Sequence, residues 1–167
     1  TQGVAVVRRL LAEGVFKVPP EKIRVLTYDV GGGFGMKVQA YPEYAVLLWA
    51  ARRVGRPVKW RATRVESFLA DTHGRDGVLE GELALDAQGQ FLALRVRTFV
   101  GIGAYVSTFA AIFATHNTKN CLSSVYAIPA IQIDVKMILT NAAPLGPYRG
   151  AGRPEAIYLI ERLIDSA

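Results

Sequence analysis

Four glycines in five residues, Gly31–Gly35 interrupted by Phe34, constrain this chain more strongly than any other feature. Such a run cannot form the interior of a stable strand or helix, so it predicts a loop. The β-rich run Ile23–Tyr28 before it is predicted to be a strand. A helix is predicted after it, with Pro42 in the first turn and Gly55 as the C-cap.

A strand, a glycine loop and a helix in this order suit phosphate binding, because glycines let backbone N–H groups approach an anion. The spacing nevertheless departs from both common fingerprints. No Gly-Lys-Ser or Gly-Lys-Thr follows the glycines, and Met36 and Val38 stand where a dinucleotide fingerprint would need its third glycine. A plain turn from strand to helix is therefore the alternative interpretation, and nucleotide binding by this loop alone is disfavoured.

A second unusual segment, Asn141–Glu155, holds three prolines and three glycines. Within it, Tyr148–Pro154 sets Arg149 and Arg153 among two glycines immediately before a predicted helix. Arginine makes bidentate contacts to phosphates and other oxyanions. Pro154 in the first helical turn leaves the preceding N–H groups free to face a ligand. The alternative is a capped helix start with solvent-facing arginines.

The rest of the pattern predicts an α+β fold class, because helices and a long hairpin occur without regular βαβ repetition. The hairpin signal is strongest: two alternating runs flank Asp86–Gly89, and Gly89 can adopt a positive φ. Further strands are predicted at Val58–Arg61, Val78–Leu85, Phe91–Val100 and Ile131–Leu139. Further helices are predicted at Val4–Glu13 and from Ile157 onward.

Composition limits the compartment and the size of the unit. A chain of 167 residues, 51% of them hydrophobic, can form an ordinary core and is not disordered. Its single cysteine, Cys121, excludes an internal disulfide and indicates a reducing compartment, so we expect the cytoplasm. No apolar stretch reaches the length of a membrane span. Thr1 is not an initiator and the last predicted helix runs to Ala167, so we expect a longer functional unit.

The net charge of +6 is concentrated in a basic cluster that could attract nucleic acid, an anionic cofactor or an acidic partner. The cluster comprises Arg52, Arg53, Arg56, Lys59, Arg61 and Arg64. Cations are also favoured at a helix C-terminus, which indicates a solvated helix end. Trp60 stands alone among these charges, and nucleic acid is not the predicted partner. A non-catalytic domain docking an acidic partner or nucleic acid is the competing functional hypothesis.

The remaining polar residues carry no catalytic or metal-binding pattern. His73, His116 and Cys121 lack the spacing of a zinc site. The segment Asp71–Arg75 is predicted to be a polar loop leading into the hairpin, and no chemistry is assigned to it.

Two loops and the first residues resemble a known family. Gly31–Lys37 looks like the glycine-phenylalanine loop of the xanthine dehydrogenase and aldehyde oxidase family of molybdenum hydroxylases. Tyr148–Arg153 resembles the active-site loop of the carbon monoxide dehydrogenase-like large subunits in their second, non-cysteine form. The pair Thr1-Gln2 is similar to the Thr-Gln that opens the first molybdopterin-binding segment. The resemblance implies one molybdopterin-binding domain over residues 1–167, a fragment of a larger catalytic subunit, with a mixed sheet, a long hairpin and flanking helices.

The resemblance also implies an activity, cofactors and partners. Family members hydroxylate an aldehyde carbon or a carbon next to nitrogen, and the inserted oxygen comes from water. The expected cofactor is molybdenum-molybdopterin cytosine dinucleotide, whose pyrophosphate the glycine loops would cradle. The 2Fe-2S clusters and FAD are expected on an iron–sulfur subunit and an FAD subunit, or on other domains. The remaining partners are the rest of the large subunit and a small-molecule substrate.

Residue roles follow from the same resemblance. Gln2 matches the glutamine whose amide approaches a molybdenum oxo ligand. Phe34 and Gly35 match the pair at the metal, where a backbone N–H would stabilise charge developing on the metal-bound oxygen. Arg149 matches the arginine beside the cofactor, and Gly150–Gly152 match the wall between cofactor and substrate. The catalytic candidates are Gln2, Phe34, Gly35 and Arg149. The cofactor-binding candidates are Gly32, Gly33, Phe34, Gly35, Arg149, Gly150, Ala151, Gly152 and Arg153, and none ligates the metal directly.

Positions at which this sequence departs from the family motifs limit the range of expected substrates. Position 150 is glycine where carbon monoxide dehydrogenases have a copper-binding cysteine, which disfavours carbon monoxide oxidation. Val38, Asn117 and Ala151 stand where xanthine-specific enzymes have a glutamate, an arginine and a phenylalanine, which disfavours purines. An aldehyde or another N-heterocycle remains as the expected substrate. The family's general-base glutamate lies in a segment outside this chain, and Glu155 is assigned to a helix start. We therefore expect the isolated chain to be inactive.

Overall fold

The structure is a computed structural model that describes all residues, 1–167. The chain divides into two compact units, Thr1–Asp71 and Thr72–Ala167. The assignment of residues 1–167 to one cofactor-binding domain stays a prediction. None of the helices combines the length and the apolar character that crossing a bilayer requires.

The first unit begins with a helical segment of two kinds. Helix α1 spans Val4–Arg9 and continues as a π-helical stretch over Leu10–Phe16. Lys17 ends it in the left-handed conformation, with φ of 53°. The buried side chains of this segment are Val7, Leu11 and Ala12. The helix predicted over Val4–Glu13 is thereby confirmed, and it extends further than its spacing indicated.

Two more helices complete the first unit. Helix α2 spans Pro42–Val54, with the proline in its first turn and Gly55 as a left-handed C-cap at φ 64°, as predicted. Helix α3, Arg64–Ala70, was not predicted. Its start is fixed by a capping box in which Thr63 and Glu66 bond each other's backbone N–H groups.

Two predicted strands of the first unit are wrong. Neither Ile23–Tyr28 nor Val58–Arg61 forms a strand. The only sheet is built from three strands of the second unit, so these β-rich runs have no neighbour to pair with. Leu26 and Tyr28 are 53% and 81% exposed, which leaves the first run without the half-buried surface that favours a strand.

The second unit is organised around a mixed three-stranded sheet. Strands β1, Gly77–Leu85, and β2, Phe91–Gly103, form the predicted antiparallel hairpin. In its turn the Asp86 carboxylate accepts hydrogen bonds from two backbone N–H groups, and Gly89 has a φ of 76°. Strand β3, Ile131–Leu139, lies parallel to β2, so the order is β1-β2-β3. The α+β class with a mixed sheet and a long hairpin is confirmed.

Helix α4, Arg153–Ser166, packs on this sheet and confirms the last predicted helix. A Cβ on Gly81 of β1 would lie 2.8 Å from the Leu163 side chain, so glycine permits the close approach of the helix. The buried residues of this interface are Leu94, Val96, Leu122, Ala156, Leu159 and Ile160. A π-helical stretch, Ile112–Asn117, belongs to a second cluster that contains Ile102, Ala110, Ala114 and Leu145. The packing of α4 places its N-terminus, and the loop before it, beside this second cluster.

Candidate functional site

The glycine loop of the first unit adopts a backbone that most residues avoid. Gly32, Phe34 and Gly35 have φ values of 111°, 52° and 96°. A Cβ on Gly32 would lie 2.6 Å from the Phe34 ring, so no larger residue fits there without movement. The loop ends in a short 3-10 turn, Met36–Val38. The predicted loop is confirmed, but no strand leads into it, so the expected strand-loop-helix arrangement is not formed.

The side chain of Gln2 organises this loop. The Gly35 N–H donates to Gln2 Oε1 over 3.0 Å, and the Gln2 N–H donates to the Lys37 carbonyl over 3.0 Å. A Cβ on Gly33 would lie only 2.1 Å from Gln2 Oε1, so this close approach requires glycine. The structure thus brings together three residues predicted for the site, although Gln2 and Gly35 are 33 positions apart.

This contact fixes the direction of a backbone donor. The Gly35 N–H already points at an oxygen of an exposed side chain, and Phe34 beside it is 55% exposed. The Gly35 N–H is therefore occupied by Gln2, and it can reach a ligand oxygen only when the Gln2 amide moves.

The loop before α4, which we call the arginine loop and define as Tyr148–Arg153, has three consecutive residues with positive φ. Gly150, Ala151 and Gly152 have φ values of 91°, 46° and 92°. A Cβ on Gly152 would lie 2.4 Å from the Phe113 carbonyl oxygen. Two tight turns shape the loop: Ala151 N–H donates to the Tyr148 carbonyl and Arg153 N–H to that of Gly150.

Side chains at the C-terminal end of the π-helical stretch Ile112–Asn117 hold the arginine loop in place. Asn117 Nδ2 donates to the Ala151 carbonyl over 2.8 Å, and Thr118 Oγ1 donates to the Gly152 carbonyl over 3.3 Å. The anchoring role of Asn117 was not predicted; the sequence identified it only as a departure from the xanthine-specific pattern.

Arg75 is a third anchor, and sequence reasoning missed it entirely. Its Nη2 donates to the Arg149 carbonyl, its guanidinium carbon lies 4.5 Å from the Tyr148 ring centroid, and its Nε lies 3.7 Å from Glu155 Oε1. Arg75 and Arg149 are 74 positions apart, and no spacing rule connects them. Only the fold could have revealed this contact.

A cavity of about 60 Å³ lies in the second unit and shares residues with the arginine loop. Its lining includes Arg75, Thr98, Phe113, Ala151, Gly152 and Glu155. Thr98 Oγ1 and Glu155 Oε2 are both buried without a hydrogen-bond partner. Because buried polar atoms without partners are costly, they are candidates for functional or structural roles.

The predicted site residues form two groups. Gln2 and Gly32–Gly35 lie together in the first unit, while Arg149–Arg153 lie in the second, with the Arg149 and Arg153 side chains exposed. Their joint participation in one cofactor site stays a prediction. No group of three or more histidine, cysteine, aspartate or glutamate side chains is arranged to hold a metal ion.

Two residues of the basic cluster match its simpler interpretation. Arg52 and Arg53 lie in the last turn of α2, where cations are favoured. The Arg53 guanidinium lies 5.8 Å from the Trp49 ring centroid on the same helix. These contacts are typical of a solvated helix end.

Comparison with known proteins gives one consistent result. A family model described as the molybdopterin cofactor-binding domain matches residues 1–167. The chain is 36% identical over 160 residues to the gamma subunit of the 6-hydroxypseudooxynicotine dehydrogenase complex of Paenarthrobacter nicotinovorans, covering 96% of the chain and 20% of that protein. It is 39% identical over 150 residues to the carbon monoxide dehydrogenase large chain of Hydrogenophaga pseudoflava, covering 89% of the chain and 19% of that protein. The crystal structure of quinoline 2-oxidoreductase from Pseudomonas putida 86 matches with a TM-score of 0.85 and 33% identity, over 96% of the chain and 22% of that structure's chain. The chain therefore spans about a fifth of the length of these relatives.

Proposed function

The chain belongs to the family of molybdopterin cofactor-binding domains, which confirms the resemblance seen in its sequence, and we propose that it is part of the catalytic large subunit of a molybdenum hydroxylase. The proposed reaction is the hydroxylation of an aldehyde or an N-heterocycle with oxygen from water. One observation carries this proposal: Gln2 and Gly35, far apart in sequence, meet in a hydrogen bond of 3.0 Å within a glycine loop.

The glycine loop fits a cofactor that needs close approach to the backbone. Gly33 leaves no room for a Cβ next to Gln2, and Gly35 presents an oriented N–H. When bound, the molybdenum cofactor supplies the redox chemistry that oxidises the substrate carbon. The Gly35 N–H would become available to an oxygen of that group once the Gln2 amide turns away from it, and the exposed Phe34 ring would lie beside it.

The arginine loop would hold the anionic part of the cofactor and separate it from substrate. Arg149 and Arg153 expose two guanidinium groups, and α4 presents the positive end of a 14-residue helix next to them. This chemistry matches the pyrophosphate of a dinucleotide form of molybdopterin, and the family resemblance makes cytosine the proposed base. Gly150–Gly152 would form the wall facing the substrate.

The arginine loop also supports the proposed substrate class. It carries no thiol at Gly150, so a copper-dependent reaction with carbon monoxide is disfavoured. The Asn117 amide is already engaged with the Ala151 carbonyl, and it lacks the charge of the arginine that purine enzymes place there. Relatives named for quinoline and for a pseudooxynicotine indicate nitrogen-containing substrates.

The complete enzyme requires parts beyond this chain. We propose that an iron–sulfur subunit with 2Fe-2S clusters and an FAD subunit carry the electrons away, and that the rest of the large subunit supplies the general-base glutamate. The single, partly exposed Cys121 agrees with a reducing compartment such as the cytoplasm. The 167-residue chain purified alone should show no turnover with a dye acceptor, and robust turnover would contradict this proposal.

The cofactor assignment is tested on the complete subunit expressed with its partners. Purified protein should contain molybdenum, pterin and cytosine nucleotide in about equal amounts, as a single dinucleotide cofactor requires. Gln2→Ala should lower kcat about tenfold through loss of an oriented group at the reacting centre. Gln88→Ala, in the exposed hairpin turn, is the matched control and should leave kcat unchanged. Active protein lacking all three components would refute the assignment.

A further inference from the structure

The side chain of Arg75 makes three different contacts with the arginine loop and the helix after it. Its guanidinium donates a hydrogen bond to the Arg149 carbonyl, stacks 4.5 Å from the Tyr148 ring centroid, and faces Glu155 Oε1 at 3.7 Å. A planar guanidinium can combine a donor fork with aromatic stacking, which an ammonium group cannot do. One side chain therefore fixes residues on both sides of the Gly150–Gly152 run.

The backbone next to Arg75 is docked on the same segment. His73 N–H donates to the Pro144 carbonyl over 3.0 Å, and Gly146 N–H donates to the His73 carbonyl over 2.8 Å. A Cβ on Gly74 would lie 2.8 Å from Tyr148 Cβ, so the two segments touch there. Arg75 itself has a φ of 65°, an uncommon conformation for a residue with a side chain. Both the backbone next to Arg75 and the Arg75 guanidinium therefore contact the same segment.

The ion pair with Glu155 is partly buried, with side-chain exposures of 32% for Arg75 and 23% for Glu155. Glu155 lies in the first turn of α4, and its second oxygen is buried without a partner. Arg75 therefore offsets a carboxylate that would otherwise repel an anion beside Arg149. The same guanidinium thus bonds the Arg149 backbone and pairs with the Glu155 carboxylate.

The arginine loop needs such support because its backbone is strained. Ala151 occupies the left-handed region, where its Cβ crowds the following carbonyl oxygen. Strained segments persist only where their surroundings determine the conformation. Asn117 and Thr118 hold the carbonyls of Ala151 and Gly152, while Arg75 holds the other end at Arg149.

We propose that Arg75 is a positioning residue, which holds Arg149 and the Gly150–Gly152 run in the geometry that presents them to cofactor and substrate. The importance of this geometry for catalysis rests on the proposed function, whereas the effect of Arg75 on the loop is independent of it. The role has no counterpart among the residues predicted for the site.

The test compares Arg75→Lys with the parent in the complete enzyme. Lysine keeps the charge but loses the fork and the stacking. Amide hydrogen exchange at Ala151 and Arg153, which close the two turns of the loop, should become about tenfold faster. The kcat per bound molybdenum should fall about tenfold, with the molybdenum content unchanged, as expected when a reacting geometry is loosened.

The matched control is Arg97→Lys, on strand β2, where Arg97 pairs with Glu80 at 3.4 Å on an exposed face. In this variant the rates of amide exchange at Ala151 and Arg153, and kcat, should equal those of the parent. Should Arg75→Lys not accumulate as folded subunit, Arg75→Asn carries the same comparison, because asparagine tolerates the left-handed backbone. Added guanidinium ion should then partly restore kcat in Arg75→Asn.

The outcomes separate the two proposals. A parent enzyme without molybdenum would refute the proposed function, and the exchange data would still decide the role of Arg75. Unchanged exchange at Ala151 and Arg153 in the Arg75 variant, or an equal change in Arg97→Lys, would overturn the positioning role. Faster exchange with unaltered kcat per molybdenum would overturn its link to catalysis.

Discussion

The two glycine-containing loops reach similar backbone conformations by different means. Each has three residues with positive φ, but the glycine loop Gly31–Gly35 is exposed or partly exposed throughout, whereas the arginine loop contains the buried Gly152. Gln2 bonds the backbone of the first loop. The second is bonded by side chains from separate parts of the chain: Arg75, Asn117 and Thr118.

The difference is clearest in what surrounds the glycines. A Cβ on Gly33 would collide with the end of the Gln2 side chain, which can move. A Cβ on Gly152 would collide with the Phe113 carbonyl, which is backbone and cannot easily move. The glycine loop can therefore adjust around a ligand, while the arginine loop is a preformed wall.

The largest expected effect comes from Gly152→Ala. The new Cβ would meet backbone at 2.4 Å, and φ of 92° strains any residue other than glycine. Strain and collision together should lower the free energy of unfolding by about 3 kcal/mol, at the upper end of ordinary single substitutions. Urea unfolding of the purified subunit measures this change.

Gly89→Ala is the control for that measurement. Gly89 has a φ of 76°, but a Cβ added there would meet nothing within 4 Å, so only the backbone strain of about 1 kcal/mol should remain. Equal losses of unfolding free energy in Gly152→Ala and Gly89→Ala would show that the arginine loop accommodates a Cβ as easily as an open hairpin turn does.

Local signals allowed much of the fold to be predicted. Gly89 marked the hairpin, Pro42 and Gly55 marked the two ends of α2, and the glycines at 31–35 marked the first loop. The Ile23–Tyr28 strand failed because β-propensity records how a side chain fits a paired, half-buried surface, and no strand is available for pairing. Helix α3 was missed although its Thr63-x-x-Glu66 box is a readable start signal.

The candidate site was predictable only where its residues lie in short motifs. The glycine and arginine loops were found because each is contiguous and resembles a known family. Arg75 and Asn117 bond the arginine loop from distant parts of the sequence, and the separation between Arg75 and Arg149 hides their contact. Contacts of this kind depend on how β2, the π-helical stretch Ile112–Asn117 and α4 pack together.

The next effect is expected in the glycine loop, from Gly33→Ala. The added methyl should displace Gln2 and break its bond with Gly35, which costs about 1 kcal/mol of stability, the net value of one hydrogen bond. The effect on kcat of the complete enzyme should be larger, about tenfold, because the Gly35 donor and the Gln2 amide lose their orientation.

Gly31→Ala is the control, since a Cβ there meets nothing within 4 Å. It should leave both unfolding and kcat close to those of the parent. A loss of stability in Gly33→Ala as large as that in Gly152→Ala would erase the distinction between an adjustable and a preformed loop.

A smaller change of opposite sign is expected from Thr98→Val, beneath the arginine loop. Thr98 is 2% exposed and its Oγ1 has no partner, so a side chain of the same shape without the hydroxyl should stabilise by about 1 kcal/mol. Thr140→Val, at a partly exposed position where Oγ1 accepts a hydrogen bond from the Ala142 N–H, should give no gain by the same urea measurement. Destabilisation by Thr98→Val would show that its hydroxyl is satisfied within the cavity.

The smallest effect distinguishes the two units by their response to acid. The Thr63 N–H, which donates to Glu66 Oε2 over 2.7 Å, is the main cause that lowers the pKa of the Glu66 carboxyl below 4.5, and the Thr63 hydroxyl adds to it. A lowered folded-state pKa stabilises the folded state at pH values above the unfolded-state pKa, and this contribution disappears as the pH falls through the folded-state pKa.

Hydrogen-exchange protection of the Ser67 amide in α3 should therefore decline below pH 4.5, while protection of the Ala151 amide in the arginine loop should not decline with it. Thr63→Ser keeps the cap and should preserve this acid response, whereas Thr63→Val removes the acceptor for the Glu66 N–H and should reduce protection at Ser67 already at neutral pH. A parallel decline at Ser67 and Ala151 would mean that the two units do not respond to acid independently.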